Sequence, residues 1–240
     1  VFAEDEAAVL AAAARTADEL DDMVASRVSG LPLEQVVGWA EFRGLRIAVD
    51  PGVFVPRRRS EFLVEVAIPL AGGTPVIVDL CCGTGALGLA TAAGFAHAEL
   101  HAAELDPAAV ACARRNVEPA GGHVYEGDLF GPLPARLRAA ISILICNAPY
   151  VPSDEIRFMP PEARDHEARM ALDGGSDGLA VLRRVSAEAP QWLAPGGTLL
   201  VETSERQAAL MVAALTGAGL AAKVHADDER GATVITGTRS

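Results

Sequence analysis

The sequence predicts an α/β fold: an open, mostly parallel sheet covered by helices on both faces and closed by an antiparallel last pair of strands. Three observations carry this. From Thr74 onward, short apolar runs alternate with helical segments. Within these, VIV of VIVDL and ILIC of ISILIC are unbroken apolar runs, as a buried strand is. The last two runs, AAKVHADD and GATVITGT, are separated only by a polar turn, too short for a parallel crossover.

The opening segment, EDEAAVLAAAARTADELDDMVASRV, carries apolar residues at helical spacing and reads as one helix ending at Gly30. Trp39 to Asp50 has two short alternating runs around Arg43-Gly44, a hairpin. The loop PGVFVPRRR leads into a helix beginning near Ser60. Strands follow at 76–80, 98–104, 123–127 and 141–146, with helices from about Ala86 and from Pro107 between them. A long loop from Val151 to Gly175 precedes a helix from about Asp177 to Leu193, then the turn APGG and the strand TLLVETS. The expected domains are an N-terminal helical segment (1–35), a hairpin with its connecting helix (36–73) and the main sheet domain (74–240).

With 240 residues, half of them apolar, the chain can bury one large core. Its formal net charge of −12 repels phosphate backbones, so nucleic acid is not an expected partner. No apolar run is long enough for a membrane span, and no charged start leads into an apolar segment; a cytoplasmic protein without membrane contact is expected. Cys81, Cys82, Cys112 and Cys146 lack paired ligand spacing and read as buried thiols, with no metal site.

Four constellations carry chemistry. In DLCCGTGALG, a strand ends and glycines let the backbone turn tightly at a helix N-terminus; Gly83, Gly85 and Gly88 form G-x-G-x-x-G, which suits a nucleotide-type ligand. Glu104, 19 residues after Gly85 at the end of the next strand, is placed for ribose hydroxyls, whereas Asp106 before Pro107 reads as a helix cap. Asp128 ends the following strand, where it can accept from an adenine amino group or simply sit in a solvated turn; Leu129 and Phe130 offer apolar cover. Last comes ILICNAPYVP. In open α/β sheets ligands bind beyond the carboxyl ends of strands, and this strand delivers Asn147, Ala148, Pro149 and Tyr150 there. An amide oxygen, an exposed carbonyl and a flat ring describe a receptor for a planar NH₂ group, although Asn and Pro also form ordinary turns.

Together these motifs resemble the class I S-adenosylmethionine-dependent methyltransferases, and more narrowly the HemK-type N(5)-glutamine methyltransferases. PLEQVVGWAEFRGLRIAVDPGVFVPRRRSEFLVE resembles that family's hairpin and PRPxTE segment, DLCCGTGALGLA its glycine-rich loop, NAPY its NPPY, and EARDHEARMALDGGSDGL the segment that follows. The resemblance implies a Rossmann-like seven-stranded sheet and S-adenosylmethionine as cofactor. It implies cofactor contacts at Asp79, Gly83, Gly85, Glu104, Asp128, Leu129 and Asn147, and substrate-amide recognition at Asn147, Ala148, Pro149 and Tyr150. Pro56, Arg57 and Ser60 fall near the active-site cover. The implied substrate is a glutamine side chain in a protein of the release factor type. The alternatives are a small-molecule amide or amine and, less in keeping with the acidic balance, adenine N(6).

The chain departs from the pattern at Cys81, where the family's loop has glycine; at Ala148, where it has proline; and at Arg58 and Arg59 in PRRRSE. The stretch before Pro32 is also shorter than the helical N-terminal domain of family members that act on release factors. The arginines at 57–59 read as a solvated loop, His101 and His123 as structural, His166 as part of a loop ion pair with its acidic neighbours, and Trp39 and Trp192 as packing residues.

Overall fold

The computed structural model describes residues 3–240. The opening segment is two helices rather than one, α1 (Ala3–Ala13) and α2 (Ala17–Val28). Thr16 interrupts them: its side chain accepts from Glu19 N at 3.1 Å, a helix-starting cap in mid-segment. Arg27 then ties α2 to Glu6 of α1. A short α3 (Leu33–Val37) leads into the hairpin β1 (Trp39–Phe42) and β2 (Leu45–Ala48). Its turn puts Arg43 and Gly44 at φ 49° and 75°, the left-handed pair that matches strand twist. After α4 (Glu61–Ala67) come β3 (Val76–Leu80), α5 (Ala86–Ala92), β4 (Glu99–Glu104), α6 (Pro107–Val117), β5 (His123–Glu126) and β6 (Ile141–Cys146).

The stretch 151–175 contains a helix, α7 (Pro161–His166), started by a proline at its first position and flanked by single helical turns, so it is not plain loop. The remaining elements are α8 (Ala180–Trp192), β7 (Leu193–Thr203), α9 (Ala208–Gly217), β8 (Ala221–Asp227) and β9 (Ala232–Thr238). Residues APGG lie within β7 as an irregularity: Ile141 pairs with Leu193, and Ile143 already pairs with Thr198.

The seven-stranded sheet has the order β5-β4-β3-β6-β7-β9-β8, parallel except at β9, which runs antiparallel to both neighbours. Alternate residues of each central strand feed two cores. Ile77, Ile143 and Ile145 pack with α4, α5 and α6 on one face; Leu80, Leu144 and Cys146 pack with α8 and α9 on the other. The hairpin lies against the first face, where Ala48 N donates to Asn116 Oδ1 and Asn116 Nδ2 donates to the carbonyls of Ala48 and Thr84. One α6 side chain thus joins the hairpin to the glycine loop. Among the described residues no helix is long and apolar enough to cross a membrane.

Candidate active site

The order reversal of the sheet falls between β3 and β6, and Leu80 pairs with Cys146 there. The glycine loop after β3 and the NAPY turn after β6 therefore open into one cleft, lined among others by Cys82, Gly83, Glu104, Leu129, Asn147 and Tyr150.

On the β3 side the chain turns through left-handed conformations at Cys81, Gly83 and Gly85 (φ 53°, 54° and 79°), and Gly85 N donates to Cys82 O at 2.7 Å. Above Gly83 there is open space: a Cβ there would meet nothing within 4 Å. Glu104 braces the loop, taking Gly83 N on Oε2 at 2.8 Å and the backbone N–H groups of Leu105 and Asp106 on Oε1 at 2.7 and 3.1 Å. Asp106 caps α6 by accepting from Ala108 N.

Two residues expected to touch the cofactor do not line this cleft. Asp79 is fully buried under the loop, where Oδ2 accepts from Gly88 N at 2.8 Å and Oδ1 has no partner. Burial pushes its carboxyl up to about 7, against the pull of the Gly88 N–H, with Glu104 adding to the rise. Gly85 faces inward too: a Cβ would sit 2.5 Å from Val117 Cγ2. Both residues shape the loop from behind. Asp128 does line the cleft, but its carboxylate pairs with Arg184 Nη2 at 2.5 Å, while Leu129 beside it is buried.

On the β6 side Asn147 Nδ2 donates to Ser60 Oγ at 3.3 Å. Among the described residues nothing donates to Asn147 Oδ1 or to the Ala148 carbonyl, so both remain available as acceptors. Tyr150 is held at both ends. Its carbonyl accepts from Gln207 Nε2 at 2.9 Å, and its hydroxyl donates to Glu202 Oε1 at 2.9 Å. Burial, followed by the nearby Glu202 charge, holds its phenol well above the usual tyrosine range, so it stays a neutral donor.

The arginines at 57 and 59 are not a solvated loop. Arg57 pairs with the buried carboxylate of Glu167, and Arg59 contacts both Glu202 Oε1 and Tyr150 Oη. His166 forms no pair with its acidic neighbours either: Asp165 pairs with Arg164, and Glu167 with Arg57. His101 contacts Tyr125 Oη and Glu99 and stacks on His123, a structural cluster at the sheet edge; Trp192 stacks on Phe130. The four cysteines are free, with Cys81 half-buried.

Sequence reasoning missed Glu202, Gln207 and Arg184. Glu202 had a readable signal, since an acid inside the apolar run TLLVETS must find a buried partner. For Arg184, one of several charges on an amphipathic helix, no signal exists in the sequence.

A sheet of this order, a glycine loop braced by the acid at the end of the next strand, and an Asn-Ala-Pro-Tyr turn beside it define a class I S-adenosylmethionine-dependent N-methyltransferase. The methyltransferase small domain family matches residues 44–176. A release factor glutamine methyltransferase of Geobacter sulfurreducens is 36% identical over 90% of this chain and 76% of its own length. A 4-amino-L-phenylalanine/4-methylamino-L-phenylalanine methyltransferase of Streptomyces pristinaespiralis is 34% identical over 82% of this chain and 69% of its own. A methyltransferase structure from Pyrococcus furiosus shares the fold, with a TM-score of 0.63, 16% identity and coverage of 92% of this chain and 99% of that one. The chain belongs to the HemK-type release factor glutamine methyltransferase family.

Proposed function

We propose that this protein methylates the side-chain N(5) of a glutamine in a peptide chain release factor. The observation that carries the reading is the Asn147 amide: with Nδ2 donating to Ser60, its Oδ1 is left as an acceptor next to the free Ala148 carbonyl. A planar NH₂ has two hydrogens and needs two such acceptors. The names of the relatives supply the protein that would carry it.

The cleft fits S-adenosylmethionine. Gly83 leaves an open cradle beneath a ligand, Glu104 offers a carboxylate for ribose hydroxyls, and Asp128 and Leu129 line the far wall for an adenine. When bound, the cofactor supplies an activated methyl group on a sulfonium. Asp79 and Gly85 would hold the loop in shape.

An amide nitrogen is a poor nucleophile because its lone pair is delocalised. Hydrogen bonds from the NH₂ to Asn147 Oδ1 and the Ala148 carbonyl fix the plane of the group and leave the face of the nitrogen toward the cofactor side. Such orientation supplies about 7–11 kcal/mol in favourable cases, against roughly 3–5 kcal/mol from a general base. The carboxylate bonded to the tyrosine of the turn, Glu202, accepts from the Tyr150 hydroxyl, so the site works by positioning. In this reading 74–240 is the catalytic domain, 36–73 covers the site, and 1–35 is an outer helical segment.

Incubating the protein with labelled S-adenosylmethionine and a release factor bearing a Gly-Gly-Gln loop, then locating the label, tests the reading. Label on that glutamine is expected; none on the intact factor would overturn it. The second reading, a small aromatic amine, is favoured by the Streptomyces pristinaespiralis relative and is tested by offering 4-amino-L-phenylalanine in the same assay.

A further inference from the structure

We propose that Glu202 is a positioning residue that clamps Arg59 and Tyr150 into a single wall of the acceptor subsite. This deepens the methyl-transfer reading above and rests on it for the acceptor.

Glu202 stands inside β7, paired across the ladder with Val234, and is 2% exposed. A carboxylate in such a place is strongly penalised unless it is charge-paired and hydrogen-bonded. Here one oxygen takes both partners: Oε1 accepts from Arg59 Nε at 3.1 Å and from the Tyr150 hydroxyl at 2.9 Å, while Oε2 has none. Arg59 Nη2 closes the triangle by donating to the Tyr150 oxygen at 2.6 Å, and its guanidinium carbon lies 5.9 Å from the centre of the tyrosine ring.

The three residues come from segments distant in sequence. Arg59 and Tyr150 line the cleft, whereas Glu202 does not. It therefore acts through the other two. Its fixed point is the sheet itself, because β7 is hydrogen-bonded on both edges, to β6 and to β9. The partners it holds lie outside the sheet: Arg59 and Ser60 in the single helical turn that leads into α4, and Tyr150 in the NAPY turn. Ser60 holds Asn147, so drawing Arg59 toward β7 also sets the hydroxyl that orients the Asn147 amide. Arg59 occupies the position that PRPxTE leaves open, so the motif itself does not call for this brace.

The test compares wild type with Glu202→Gln, Arg59→Met and the double variant. It uses amide hydrogen exchange of the ligand-free protein, calorimetry with S-adenosylmethionine, and kcat and KM for a glutamine peptide. Glu202→Gln is expected to raise exchange in both 57–63 and 148–152 and to leave the cofactor Kd unchanged. It should raise the peptide KM about tenfold, the scale of a lost charge-assisted hydrogen bond. The double variant should be no worse than the poorer single, since both break one unit.

Unchanged exchange in the two segments, a cofactor Kd that rises in step with KM, or single effects that multiply would each overturn the clamp. Should wild type leave the peptide unmethylated, the glutamine reading fails, and the exchange data alone still decide the clamp. If Glu202→Gln does not fold, Tyr150→Phe, which leaves β7 untouched, must raise exchange in 57–63 for the proposal to stand.

Discussion

Arg57 Nη2 lies 2.6 Å from each carboxylate oxygen of Glu167, joining the loop after the hairpin to the segment that follows the NAPY turn. Glu167 also accepts from Val55 N, and Gly52 bridges to it through the backbone. Burial raises the Glu167 carboxyl, and the Arg57 charge is what chiefly opposes that rise. Replacing Arg57 with Ala strands a buried charge, and a loss of about 3–5 kcal/mol is expected near neutrality. With its folded pKa raised further, Glu167 would take up a proton as pH falls, and the deficit should shrink on the acid side. Denaturant melts at pH 8 and pH 5.5 check this; equal deficits at both would count against it.

Asn147→Ala removes one of the two acceptors for the substrate NH₂ without touching the glycine loop. Turnover should fall by about 10²-fold or more, the penalty typical of losing alignment at the reacting atom. Calorimetry with S-adenosylmethionine should show little change. Equal losses in turnover and cofactor affinity would reassign Asn147 to the cofactor.

Glu104→Ala acts on the other half. Three backbone N–H groups lose their acceptor, at Gly83, Leu105 and Asp106, along with the proposed ribose contact. Charged hydrogen bonds are worth about 1.5–3 kcal/mol each, so the cofactor Kd should rise at least tenfold. A Kd equal to that of wild type would rule out the role.

Asp79 gives the protein a pH dependence of its own. Its folded pKa, about 7, lies above the ordinary 3.8, so the folded state keeps a proton that the unfolded chain has lost. The contribution is fully present below about pH 4, declines as pH rises toward 7, and is gone above it. Asp79→Asn does not titrate. The stability of wild type relative to this variant should therefore fall across that window, by a few kcal/mol at most, and stay flat beyond pH 8. Parallel curves would show that Asp79 does not titrate there.

Gly178 has φ +77°, and a Cβ on it would sit 2.2 Å from the Tyr150 carbonyl oxygen and 2.3 Å from Gln207 Nε2. Backbone strain and steric overlap together make Gly178→Ala destabilising by about 2–4 kcal/mol. Urea unfolding measures the loss, and the acceptor KM should rise because the NAPY turn is displaced.

The fold and the cleft were legible where local chemistry settles them. Continuous apolar runs such as ILIC gave the buried strands, and the glycines at 83 and 85 stand where the chain does turn left-handed. What stayed hidden has identifiable causes. The break between α1 and α2 is written in Thr16 and Glu19 but masked by alanines on both sides. Helix α9, AALMVAALTG, is apolar nearly all round and offers no amphipathic period. Asp79 was expected at the cofactor from the family resemblance; its carboxyl turns toward Gly88, which only the packing shows. Glu202 and Arg59 meet across 143 positions, a pairing that no local pattern can announce.

The pairing of Leu80 with Cys146 carries a consequence for how variants of this enzyme should be read. Residues 81 and 147 leave neighbouring strands, which lie about 4.8 Å apart in any sheet. The spacing at which the glycine loop and the NAPY turn leave the sheet is thus set by the backbone ladder, before any side chain reaches the cleft. A substitution at Ile77 or Ile143, paired with each other and sealed in the interior, would tilt one strand on the other and stretch that spacing. The hydrophobic interior is in this sense a ruler for the cleft, and a change there reaches the site through the sheet.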